Sequence, residues 1–264
     1  MLAHENICLV IVPPEKMEAN LVNEIAPIFQ KDVYQTRQML SGKMPKIVPG
    51  YRSPAEAETV ANSLKATGLL AFTCEDTFLR RPPSPVFSAA KLSFNEKEVT
   101  FQEQSGATRT LAAGEVFLIL KGNKPKLIET ENSKTVRKLS IGKTILTGGL
   151  PIFNKVKQTT TVKSIESLLL LRLYNHASAD PIIELSQHNI DYKYLGPKLN
   201  YSSLVNFNTV ASDIKNAFPG AIYDDRLMQL PRQEESSAPE TEFELNCRLL
   251  FIYYKTIKEN QTEQ

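Results

Sequence analysis

No window of the sequence approaches the ~20 consecutive apolar residues that a membrane-spanning helix requires, although 42% of its 264 residues are hydrophobic. No basic segment precedes the first apolar run, Ile7 to Val12, and "VPPEK" stands where a small-residue cleavage site would follow a secretion signal. That run therefore predicts a first strand. Cysteine is scarce too: Cys8, Cys74 and Cys247 are far apart and odd in number. This excludes a disulfide framework and predicts a reducing, cytoplasmic compartment, with Cys8 and Cys74 as small core hydrophobes on strands.

Catalytic signatures are equally sparse. There is no Gly-x-Ser-x-Gly elbow, no His-Glu-x-x-His helix and no Cys-x-x-Cys pair. Of the three histidines, His4, His176 and His188, the last two flank predicted strands, and a metal site needs three or four converging ligands, which no local cluster supplies. Glu75-Asp76 and Asp224-Asp225 are neighbours on the chain, which on extended backbone point oppositely, so they read as caps or turns. Gly142-Lys143-Thr144 copies the end of a phosphate-binding loop. Such a loop needs glycine five positions before its Gly-Lys pair, and Arg137 stands there. A helix should follow, and "ILTGGLP" follows instead, so Gly148-Gly149 reads as a tight turn. No cofactor or metal is expected, and the chain is not expected to be an enzyme.

What is present divides the chain in three. "RRPPSPV", Arg80 to Val86, and the polar, acidic "PRQEESSAPET", Pro231 to Thr241, have linker composition. They separate residues 1–80, 86–230 and a tail at 241–260. In the first part, Met17, Leu21, Ile25 and Ile28 recur at helical spacing, although Pro27 should kink or end that helix. Asp32 can cap a second helix with Val33, Thr36 and Leu40 on one face, and "KIV" is a short strand. A third helix is signposted by Ser53 at the N-cap, Pro54 at the first position, Glu56 completing a capping box and Gly68 as the stop. Its buried stripe would be Ala57, Val60, Ala61 and Leu64, and "LLAFTCE" would close the sheet. The expected order is β-α-α-β-α-β.

That order, with "MPKIVPGYRSPAEAETVANSLKATGLLAFTCE", resembles the C-terminal domain of the bacterial ribosomal stalk protein and the ClpS adaptor fold. Both families bind protein partners and catalyse nothing. The acidic, asparagine-bearing loop and the histidine by which ClpS recognises amino-terminal residues have no counterpart in "PPEKME" or His4, so that specificity does not carry over.

In the second part Leu92 and Phe94, a turn at Asn95 to Lys97, then Val99 and Phe101 predict a hairpin. Further strands are expected in "TRTLAAGEVFLILKG", "SLLLLRLYN", "PIIELS" and "NIDYKYLG". One helix follows, capped by Ser202 or Ser203, with Leu204, Phe207, Ala211, Ile214 and Phe218 on one face and Pro219-Gly220 at its end. Antiparallel strands closed by one amphipathic helix resemble a bacterial pleckstrin-homology-like barrel. The expected class is therefore α+β. The chain as a whole also resembles a group of bacterial proteins to which no activity is attached. In the tail, "LLFIYY", Leu249 to Tyr254, predicts a helix or strand that docks on a domain or binds another chain.

Charge is the remaining signal. Lys121 to Lys163 holds ten Lys or Arg against Glu129 and Glu131 alone, a net of +8 in a chain of +2, so the rest sums to −6. The expectation is a basic insertion, 132–164, looping out between barrel strands. Phe153 is its only aromatic, which argues against stacking on single-stranded nucleic acid and against sequence-specific recognition. Arg137, Lys138, Lys143, Lys155 and Lys157 are the candidate contacts, for a protein partner first and an anionic membrane surface second. The expected role is that of a non-catalytic binding or adaptor protein. A site assembled between the domains from distant residues would make it an enzyme instead.

Overall fold

A computed structural model describes residues 7–51, 53–139, 153–230 and 239–262, with backbone course alone for 127–139, 153–165 and 260–262. The fold is α+β. The N-terminal unit runs β1 (Ile7–Ile11), α1 (Ala19–Phe29), α2 (Val33–Met39), β2 (Lys46–Val48), α3 (Pro54–Ala66), β3 (Ala71–Glu75), the order expected from its apolar periodicity, and then α4 (Asp76–Arg80). β1 lies in the centre of an antiparallel sheet of order β2-β1-β3. Its alternate residues serve two cores: Leu9 and Ile11 pack on Val22, Ile25, Leu40 and Leu64 of the helices, while Val10 and Val12 face Phe72, Leu79 and Leu249. A strand buried on both faces must be apolar throughout, hence the unbroken run at Ile7 to Val12.

Helix boundaries follow local chemistry. The Gln35 N–H donates to Asp32 at 2.7 Å and the Glu56 N–H donates to Ser53 Oγ at 3.2 Å, so both expected caps are present. Gly68, at φ +85°, turns the chain after α3. α1 runs two residues past Pro27 and stops at Gln30 in the left-handed region. Met17 and Val33 are exposed, outside the stripes expected for them. Ser53→Ala should destabilise the protein by about 1 kcal/mol through the uncapped Glu56 amide, readable as a lower urea midpoint with unchanged slope.

The rest of the chain builds two sheets around one core. β4 (Phe87–Ala89), β8 (Leu118–Leu139), β9 (Phe153–Tyr174), β10 (Ile183–Ser186) and β11 (Ile222–Asp224) form a sheet of order β11-β8-β9-β10-β4. β5 (Lys91–Phe94), β6 (Glu98–Gln102) and β7 (Thr108–Ala112) form the second sheet. Ala90 alone separates β4 from β5, carrying the chain from one sheet to the other. Leu92, Val99, Phe101 and Leu111 of one sheet, Ile119, Leu171 and Leu173 of the other, and Phe207, Val210 and Ile214 of α5 (Ser203–Ala217) share one apolar cluster. The Val205 N–H donates to Ser202 Oγ, so Ser202 is the cap.

Three details differ from expectation. The sheet is not wholly antiparallel: β4 pairs with β10, and β11 with β8, in parallel, each pair being separated by a long stretch of chain that can cross over. "NIDYKYLG" is 3₁₀ turn at Tyr192–Lys198 and not strand. The Asp191 side chain accepts from the Lys193 N–H, and Gly196 at φ +50° precedes Pro197, local chemistry that favours turns. Where it is described, up to Leu139 and from Phe153, the basic segment is strand and not loop: it lies on β8 and β9, two strands of 22 residues each, paired from Leu118↔Tyr174 to Leu139↔Phe153. β-branched runs such as Thr159 to Val162 favour that extended pairing.

The tail is α6 (Pro239–Thr262). It carries two apolar stripes at helical spacing. Leu245, Leu249, Ile252 and Tyr253 meet Val10, Phe72 and Leu79 of the N-terminal unit. Phe243, Cys247, Leu250 and Phe251 meet Phe117, Leu118, Leu120, Leu170 and Tyr174 of the larger sheet. The six-residue apolar run is therefore the overlap of two docking faces on one helix, wedged between two sheets.

Candidate functional site

The flanking strands of the larger sheet stop early. β11 accompanies β8 only to Leu120, and β10 accompanies β9 only from Leu170. From Asn123 to Leu139, β8 and β9 pair with each other alone among the described residues. Those 17 positions correspond to about 55 Å of two-stranded ribbon at the usual rise per residue. Four of the five candidate cations sit toward its far end. Arg137 is directly opposite Lys155, Lys157 is opposite Thr135, and Lys138 is opposite Asn154. Opposed residues share a face and faces alternate along a strand, which groups Arg137, Lys155 and Lys157 and places Lys138 on the other face. Lys143, Gly142 and Thr144 lie outside the described residues, as do Gly148, Gly149 and His4.

At the near end of the ribbon stands a cluster of charged groups drawn from distant parts of the chain. Arg172 of β9 is almost fully buried. Its Nη1 and Nη2 donate to the two carboxylate oxygens of Glu244 on α6, at 2.6 and 2.8 Å, and its Nε donates to Glu184 on β10 at 2.8 Å. Lys124 of β8 donates to the same Glu244 at 3.0 Å. One turn along α6, Arg248 is buried as well and donates to the carbonyls of Leu79, Arg81 and Pro82. The proline-rich connection is thus fastened by its carbonyls. Asp180, 3.7 Å from Arg248, holds it too, accepting from Ser84 at 2.7 Å and pairing with Arg81 at 2.9 Å.

Two adjoining cavities open here, of about 580 and 190 Å³, sharing Pro83, Lys124, Glu244 and Arg248 as walls. The smaller is also lined by Tyr174 and Cys247. Burial raises the Tyr174 hydroxyl well above its ordinary range, and the Cys247 thiol beside it adds to the shift, yet no hydrogen bond of ordinary geometry joins the two. Burial pushes the Cys247 thiol up to about 11, and burial also carries Cys8 and Cys74 up to about 12. All three thiols are protonated at neutral pH, the form that is a poor nucleophile. Burial by itself would raise the Glu244 carboxyl, but Arg172 and Lys124 bring it below its ordinary value. It is held as an ion-pair partner and not as a proton donor.

His176 and His188 lie at opposite ends of one strand pair. His176 follows β9 and stacks on Phe117 with ring centroids 4.1 Å apart, while His188 follows the opposite end of the antiparallel β9–β10 pair. Among the described residues no three His, Cys, Asp or Glu side chains converge as metal ligands, and no helix is long and apolar enough to cross a membrane.

No family model, curated protein or solved structure matches the chain. Its functional reading therefore rests on its own residues.

One signal for the buried cluster was available in the sequence. Arg172 interrupts "LLLLRLY", and a charge within a buried strand requires a partner. Which partner could not be read: Glu244 is 72 residues away on a different element.

Proposed function

We propose that this is a non-catalytic cytoplasmic binding or adaptor protein that engages an anionic partner, a protein in the first instance, through Arg137, Lys138, Lys143, Lys155 and Lys157. The observation that carries the reading is the register of the ribbon. It groups Arg137, Lys155 and Lys157 on one face of a two-stranded element whose flanking strands have ended. Concentrated positive charge on an extended element accelerates association with acidic surfaces and makes binding salt-dependent.

The rest of the architecture supports this role. The β-α-α-β-α-β unit resembles the stalk-protein and ClpS domains, which bind proteins. Two sheets and α5 around one core support a pleckstrin-like, barrel-type module. The ionisable groups at the junction are tied to one another, which favours binding over acid–base chemistry.

Changing the five cations to serine should leave the far-ultraviolet circular dichroism spectrum unaltered. It should lower retention on an acidic polypeptide matrix at 50 mM salt by at least about tenfold. Unchanged retention and unchanged pull-down profiles at low salt would refute the assignment.

A further inference from the structure

A second surface, separate from the ribbon cations, has the character of a contact site. Every residue from Gly196 to Val205 is exposed. Leu199, Tyr201, Leu204 and Val205 lie within it, four of the seven large hydrophobic side chains exposed among the described residues, and Tyr201 is fully exposed. These side chains are not left outside by a loose chain. The Asn200 N–H donates to Asn206 Oδ1 at 2.7 Å, and Asn206 Nδ2 returns to the Asn200 carbonyl at 2.8 Å. Asn206 itself is buried. The Ser202 N–H donates to Asn200 Oδ1, and Ser202 caps α5. Hydrogen bonds thus hold the turn closed while its apolar side chains point to solvent.

Charge narrows the choice of occupant. From Tyr192 to Ser212, between Asp191 and Asp213, there is no Asp or Glu, whereas Lys198 and Lys193, the latter 3.9 Å from Asp191, are exposed. Leu, Val and Tyr on an exposed turn that itself carries lysine and no acid match the headgroup–acyl boundary of an anionic bilayer. Four exposed side chains on one turn also fall short of the roughly 800 Å² per partner that a stable protein interface uses. The turn is tied to the sheet where the ribbon begins: Gln187 donates its N–H to the Leu169 carbonyl at 2.9 Å and its Nε2 to Ser203 Oγ at 2.8 Å.

We infer that this turn is an interfacial membrane anchor. Leu199, Tyr201, Leu204 and Val205 enter the boundary layer of an anionic membrane, and Lys193 and Lys198 meet its phosphates. The anchor is peripheral, and the tyrosine ring sits at headgroup depth.

The chain contains no tryptophan, so Tyr201→Trp places a single reporter at a fully exposed position. Titration of the full chain with phosphatidylcholine vesicles containing phosphatidylserine should shift its emission to the blue, and brominated acyl chains should quench it. Vesicles of phosphatidylcholine alone should give a much smaller response. Leu199→Ser combined with Leu204→Ser should weaken co-sedimentation with the anionic vesicles by about tenfold. No emission shift with vesicles would overturn the inference. So would a shift that appears with protein concentration alone, which would assign the turn to a second copy of the chain, or one produced by polyglutamate, which would assign it to an acidic protein. Repeating the titration with the five ribbon cations changed to serine separates the two surfaces: the blue shift of the reporter should persist when ribbon-dependent retention is lost.

Discussion

Arg172→Ala is expected to lower the stability of the protein by about 3–5 kcal/mol, the cost of leaving a buried charge without its partner. In thermal unfolding this corresponds to a drop on the order of 10 °C for a chain of this size. The guanidinium is the common partner of Glu244 and Glu184, and its loss strands a buried carboxylate on α6 with only Lys124 beside it. Arg172→Met combined with Glu244→Leu should recover most of the loss, because apolar groups of similar volume avoid the desolvation cost of the ions. A loss below about 1 kcal/mol in the single variant would show that water reaches the pair and screens it. The pH dependence has a definite sign. Glu244 has a lowered carboxyl pKa in the folded chain. Its contribution is therefore complete above its ordinary value and is lost as pH falls through the lowered folded value. Glu244→Gln should be less stable at neutral pH, with a shallower decline in acid, measured by urea midpoints from pH 7 to pH 3.

Leu249→Ala and Leu250→Ala are each expected to cost about 2–5 kcal/mol, the range for a large-to-small change in a packed core. The two leucines are neighbours on α6, yet they enter different cores. Leu249 packs with Val10, Val12, Phe72 and Leu79, and Leu250 with Phe117, Leu118, Leu120 and Leu170. Because one rigid helix fills both, both variants should shift a single cooperative unfolding transition. Two transitions, with each variant moving only its own, would show that the N-terminal unit and the double-sheet unit unfold independently despite the shared helix. Calorimetry and circular dichroism on the full chain separate these outcomes.

Local structure was largely legible because its causes are local. Asp32 and Ser53 cap the helices they precede, and Gly68 and Asn95 to Lys97 turn the chain where left-handed or turn-forming residues are required. The misreadings arose where two local rules competed. In "NIDYKYLG" the aromatic alternation suggested strand, but Asp191, Gly196 and Pro197 favoured turn. In the basic segment the density of lysine suggested a solvated loop, but threonine and valine favoured extended pairing, and the pairing extends to Leu139 and Phe153.

The candidate contacts were read from charge density alone. The register then grouped Arg137 with Lys155 and Lys157 and separated Lys138 from them. The exposed turn at Leu199 to Val205 could not be recognised in advance. Leu204 falls on the same apolar period as Phe207 and Ile214, and periodicity does not report how far a core extends along a helix.

By itself the sequence determined the α+β class, the order of elements in the N-terminal unit, the helix caps and the accumulation of positive charge between Lys121 and Lys163. Each depends on residues within a few positions of one another. Only the tertiary structure decided that α6 serves two cores, that Arg172 finds Glu244, and that four apolar side chains are held in solvent. Those outcomes depend on which surfaces meet across the fold, and burial is a property of the assembled chain and not of any segment of it.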